Sequence, residues 1–141
     1  MLITPTTGVY MTDSGVFAHL LGITSIEEVY ESSHKGNLVE TFVYGELLKH
    51  LSYSMTQAAI YHYRTNDKKE IDFILEKGDK VIAIEVKASH SVKRDDFKHI
   101  ADFQSKSKQD ILGIVLYTGT NILPFGDETA KRYAVPMSVF F

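Results

Sequence analysis

The chain contains no cysteine. That excludes a disulfide framework, a thiolate nucleophile and a sulfur-ligated zinc site. No apolar run approaches the roughly 18 residues that a membrane-spanning helix needs. The opening residues, Met1-Leu2-Ile3-Thr4-Pro5, lack the basic start and long apolar stretch of a secretory signal. No membrane is expected, and a cytoplasmic location is the default. There is no Gly-x4-Gly-Lys-Ser/Thr loop, so a P-loop ATPase site is excluded. The histidines (His19, His34, His50, His62, His90 and His99) show no His-x3-His spacing. Each reads as a surface or structural residue, with His62 set apart because it lies on the strand before Asp72.

An excess of positive charge is also missing. The 141 residues carry a net charge of −3. Residues 1–35 hold one base, Lys35, against Asp13, Glu27, Glu28 and Glu31, and the rest of the chain is balanced. A globally basic nucleic-acid footprint is therefore absent. Contact with nucleic acid would have to run through a local patch or a metal ion.

What is present is an ordinary globular composition, 44% apolar and 23% charged, at the length of one domain. Residues 1–35 read as an irregular, partly helical lead-in. Ser14 to Gly22 suggests a short helix, and Thr24-Ser25-Ile26-Glu27-Glu28 resembles a capped helix start. Ser32 to Asn37 is the boundary candidate. Asn37 to Leu51 has the three- and four-residue apolar spacing of a helix. Ala58–Arg64, Glu70–Leu75 and Val81–Ala88 read as strands, Lys93–Ser107 as a helix, and Ile111–Tyr117 as a strand buried on both faces. Pro136 limits any strand at Val135-Pro136 to a short or edge position. The resulting order is αβββαβ, an α/β fold with a mixed central sheet flanked by helices.

The second and third strands allow a geometric argument. A two-residue loop at Gly78-Asp79 pairs Lys77 with Lys80. Counting outward, Asp72 lies opposite Glu85, and Glu70 opposite Lys87. Strict alternation puts all four on one face, leaving Ile71, Phe73, Leu75, Ile82, Ile84 and Val86 as the core face. Like charges placed opposite each other in a sheet are destabilising. Asp72 and Glu85 would therefore share a proton or hold a cation. Oxygen-only ligation favours Mg²⁺ or Mn²⁺. Glu40 lies in the otherwise apolar strip of Val43, Tyr44, Leu47 and Leu51, where a carboxylate is costly unless satisfied.

A helical Glu40, then Asp72, then Glu85-Val86-Lys87 resembles the PD-(D/E)xK (restriction-endonuclease-like) nuclease core; Ile71 stands where that superfamily's name has proline. A closer resemblance is to the DUF4143 domain, the C-terminal part of prokaryotic AAA+-type ATPases. It rests on Tyr10-Met11-Thr12-Asp13-Ser14-Gly15-Val16, His19-Leu20-Leu21-Gly22 and Gly36 to Val43. It continues through Tyr61-His62-Tyr63-Arg64-Thr65, Glu70 to Ile74, Ile84 to Ser89 and Val135 to Ser138. The resemblance implies a nuclease-like domain at 36–141 and a lead-in at 1–35 joining it to an upstream ATPase domain. It makes the chain a C-terminal fragment or a stand-alone remnant.

As a nuclease, the domain would hydrolyse a phosphodiester, DNA ahead of RNA. Asp72, Glu85 and the Val86 carbonyl would hold Mg²⁺ or Mn²⁺, Glu40 would complete the shell, and Lys87 would position the water or offset developing charge. Arg64, Lys68, Lys69, Lys93, Arg94 and Lys98 would meet the phosphates, diluted by Asp67, Asp95 and Asp96. The expected partners are nucleic acid and the upstream ATPase domain, with self-association left open. Two other readings stand beside this one. The domain is a catalytically inactive accessory or interaction domain of the ATPase, or it binds nucleic acid without cutting it. Glu70 opposite Lys87 also has a plain reading as a cross-strand ion pair worth ~0.2–1 kcal/mol.

Overall fold

The computed structural model describes residues 2–5, 22, 24, 25, 28, 31–54 and 57–140. The chain divides into two compact units: Met1–Gly8 with Gln57–Phe141, and Val9–Thr56.

In the second unit, Ser25 and Glu28 form a capping box. Glu28 N–H donates to the Ser25 hydroxyl at 3.2 Å, and the Glu28 carboxylate accepts the Ser25 N–H at 3.3 Å. It also accepts the Thr24 N–H at 2.5 Å, the foremost cause of a carboxyl held below its usual range. The expected Ser14–Gly22 helix lies outside the described residues, Gly22 excepted. Helix α1 runs Lys35–Tyr53, two residues longer at each end than the apolar spacing predicted. Leu38, Thr41, Val43 and Leu47 are its buried residues, and Glu40 is half-buried. Ser54 N–H closes its end on the His50 carbonyl at 2.9 Å.

The first unit is a seven-stranded mixed sheet in the order β1-β2-β3-β4-β5-β7-β6. The strands are β1 (Leu2–Pro5), β2 (Ala59–Arg64), β3 (Glu70–Lys77), β4 (Lys80–Lys87), β5 (Ile111–Tyr117), β6 (Leu123–Pro124) and β7 (Arg132–Pro136). Strands β1 to β4 are antiparallel neighbours; β4, β5 and β7 are parallel; β6 is antiparallel to β7. Strand β4 is thus the junction between the two halves. A 3₁₀ turn, Arg94–Phe97, and helix α2, Lys98–Lys106, form the crossover that two parallel neighbours require.

Three strands differ from the expected αβββαβ order. Leu2–Pro5, inside the expected helical lead-in, is strand β1. Its partner is β2, far along the chain (Thr4↔His62), so no local pattern announces it. Pro5 is tolerated there because β1 is a sheet edge. Strand β6 is two residues long and fell below any sequence period. Pro136 closes β7 as a short strand: β6 reaches only Tyr133 and Ala134, so no neighbour asks Pro136 for a donor on that side.

The expected one-sided core is also revised, because both faces of the sheet are buried. Ile74, Val81 and Ala83 pack with Phe97, Ile100 and Phe103 on one face, and the Tyr63 and Phe103 rings meet at a tilt with centroids 4.7 Å apart. On the other face Phe73 and its partner Ile84 are buried as well. A bulge also moves Ile71 from one face to the other. Tyr61 pairs with Ile74, yet Tyr63 pairs with Ile71, so β3 carries one extra residue at Asp72-Phe73. Alternation resets there, and Ile71 joins Ile74 in the same core cluster.

Two glycines are demanded by geometry. Gly78 opens the hairpin loop with φ +61°, the type II′ arrangement. Gly113 on β5 lies directly under α2, where an added Cβ would come within 2.5 Å of Ile100 Cγ2. Among the described residues, no helix is long and apolar enough to cross a membrane.

Candidate functional site

The β3–β4 register runs as the loop predicts, from Lys77↔Lys80 through Leu75↔Ile82 to Phe73↔Ile84. It stops one pair short of Asp72 and Glu85. At that point the Asp72 side chain takes over from the ladder: its Oδ2 accepts the Val86 N–H at 2.7 Å. The bulge is what frees Asp72 from strict alternation, and the hydrogen bond fixes its carboxylate against Glu85-Val86. On the β2 side, the Asp72 carbonyl accepts from His62 Nδ1 at 3.2 Å. A carbonyl only accepts, so His62 Nδ1 carries the hydrogen.

Glu85 and Lys87 continue the face of Val81 and Ala83, since β4 pairs with β5 without interruption from Val81↔Ile111 to Lys87↔Tyr117. They sit where the 3₁₀ turn replaces α2 as the cover. A cavity of about 220 Å³ opens there, lined by Glu85, Lys87, Asp95, Asp96, Lys98 and His99.

The expected pairing of Glu70 with Lys87 does not occur. The bulge turns Glu70 to β2, where it lies opposite Arg64 and meets Arg64 Nε at 3.0 Å. Lys87 instead donates to Asp96 Oδ2 at 2.5 Å. The same oxygen accepts the Lys93 N–H at 2.6 Å, closing the 3₁₀ turn. Burial pushes the Asp96 carboxyl up, but the Lys87 ammonium and the Lys93 N–H outweigh it and hold the group below the usual range.

Glu40 lies on α1, in the other unit. Among the described residues, no three of His, Asp or Glu cluster closely enough to hold a metal ion. The hairpin therefore supplies two hard oxygen donors, Asp72 and Glu85, next to the Val86 backbone.

Several of the proposed phosphate contacts are engaged by acids. Arg64 pairs with Glu70, Lys98 with Asp95 at 3.8 Å, and Lys69 with Asp102 at 3.0 Å. Asp102 also takes Lys106 at 2.9 Å; Lys106 foremost, then Lys69, hold its carboxyl below the usual range. Lys68, Lys93 and Arg94 are exposed. Two members of the cavity escaped the sequence reading. Asp96 belongs to an element whose 3₁₀ start the apolar spacing did not reveal. His99 reads from the sequence as a surface or structural residue, because the histidines show no ligand spacing.

These features define an α/β domain with a mixed sheet whose junction strand presents Glu85 and Lys87 to a small cavity that Asp95, Asp96 and His99 also line. The family model for a domain of unknown function, DUF4143, matches residues 35–140, and the chain belongs to that family. A search of curated proteins finds no match.

Proposed function

We propose that the chain is a nuclease-like domain that hydrolyses a phosphodiester of DNA with Mg²⁺ or Mn²⁺. The observation that carries this reading is the Asp72 carboxylate anchored on the Val86 N–H at 2.7 Å. It ties the Asp72 carboxylate to the backbone beside Glu85, and acids on neighbouring strands at one level of a sheet favour a cation or a shared proton. Asp72, Glu85 and the Val86 carbonyl would hold the ion, which supplies Lewis-acid polarisation of a phosphoryl oxygen. Lys87 and the exposed Lys68, Lys93 and Arg94 offset phosphate charge.

The test is cleavage of supercoiled, linear and single-stranded DNA by the purified chain, with Mg²⁺, Mn²⁺ or chelator. Metal-dependent cleavage that falls at least ~100-fold in Asp72→Asn and Glu85→Gln supports the reading. Absence of cleavage on every form overturns it.

A second reading has its own observation. Lys87 is paired with Asp96 at 2.5 Å, and a lysine so held suits a structural cluster as well as a catalytic one. In that case the domain serves as a non-catalytic accessory of an AAA+-type ATPase domain, the partner supported by the family resemblance. Co-sedimentation with such a domain by a chain that cuts nothing is the outcome that favours it.

A further inference from the structure

The cavity beside Glu85 is lined by six titratable side chains. Four of them are accounted for as two ion pairs, Lys87–Asp96 at 2.5 Å and Lys98–Asp95 at 3.8 Å. Glu85 is assigned above to the cation. The remaining group is His99, half-buried on the first turn of α2. Its orientation is set from β3: His99 Nδ1 lies 2.9 Å from the Glu70 carbonyl oxygen. That oxygen only accepts, so Nδ1 carries the hydrogen, and in the neutral ring Nε2 holds the lone pair. A ring fixed through one nitrogen by a backbone carbonyl, with the other nitrogen basic, is the usual arrangement of a working histidine.

We propose that His99 is the proton acceptor of this site, beside a Lys87 that Asp96 holds in an ion pair. The proposal rests on the nuclease reading. In the step, a water oxygen forms the new bond to phosphorus as its proton passes to His99 Nε2. One P–O ester bond breaks, and the departing oxygen takes a proton from solvent. The imidazolium then returns its proton to bulk water. The groups that face the ring are Glu85 and Lys87 from β4, Asp95 and Asp96 from the 3₁₀ turn, and Lys98 beside it.

The test compares the full-length chain with His99→Gln and His99→Ala in Mn²⁺-dependent DNA cleavage, with melting temperatures recorded alongside. Loss of a general base predicts a ~10²–10⁴-fold slower cut in both variants. Added imidazole restores part of the rate in His99→Ala but not in His99→Gln, whose side chain fills the place. Unchanged cleavage by His99→Gln overturns the proposal while leaving the nuclease reading intact. A slow His99→Ala that imidazole does not rescue also overturns it, because the loss is then structural. A wild-type chain that cuts nothing overturns both together. Nitrogen-15 NMR of the histidine rings gives a readout independent of activity. The Nδ1–H tautomer is expected for neutral His99, and a dominant Nε2–H tautomer overturns the proposal whatever the cleavage assay shows.

Discussion

The two ends of β4 share one face but not one cover, and they do opposite work. At the Val81–Ala83 end the face is apolar, fully covered by Ile100 and Phe103 of α2. At the Glu85–Lys87 end it is charged, and the cover is a 3₁₀ turn that brings Asp95 and Asp96 to the cavity while its Phe97 joins the core. The difference teaches where a site fits in a packed sheet. A helix lies flush against a strand only where both are apolar. Where the cover tightens into a 3₁₀ start, polar groups face a small cavity rather than a core.

Substitutions separate the two ends. The largest effect is expected at the apolar end: Phe103→Ala removes a buried ring packed against Tyr63 and costs ~3–5 kcal/mol in urea or thermal unfolding. If the loss stays under about 1 kcal/mol, α2 is not the clamp described here. Next comes Asp72→Asn at the polar end, with a ≥~100-fold loss of metal-dependent cleavage, close to 2.7 kcal/mol of barrier, and little change in melting temperature. A variant that instead unfolds would make Asp72 a structural link between the strands. Gly113→Ala drives a methyl into Ile100 and is expected to cost ~1–3 kcal/mol; a neutral result would mean that α2 rides higher on β5.

Two smaller effects concern charge. Asp96, Asp102 and Asp127 have carboxyls held below the usual range, Asp127 chiefly by the Thr129 hydroxyl. A carboxyl depressed in the folded state adds stability above its unfolded pKa of about 4, which is lost as pH falls through the folded value. Melting temperature should therefore drop as pH falls below about 4, and Asp96→Asn should flatten that limb. Asp96→Asn also loosens Lys87, and the smallest expected change is a modest fall in melting temperature at neutral pH. A rise in cleavage by this variant would show that Asp96 restrains the lysine.

Much of this is legible in the sequence. Gly78-Asp79 admits few loops, so the register of β3 and β4 followed from two residues. Strand β5 was legible to the residue, Ile111–Tyr117, because an unbroken apolar run of that length suits a strand buried on both faces. A helix within Lys93–Ser107 was legible too, though its first turn is 3₁₀. The bulge was not, because the extra residue at Asp72-Phe73 is defined only by what β2 offers opposite it. The partner of Lys87 was hidden for the same reason: Glu70 sat nearest by register, and Asp96 arrives from a separate element nine residues on.

The sequence by itself determined the period of each element, the hairpin register and the identity of the acids, since all of these are local in the chain. Only the tertiary structure decided that Leu2–Pro5 is a strand, that Asp72 leaves the ladder to hold Val86, and that His99 joins Glu85 at the cavity. Each of those depends on a group distant along the chain, brought near by burial of the sheet's two faces rather than by any pattern in neighbouring residues.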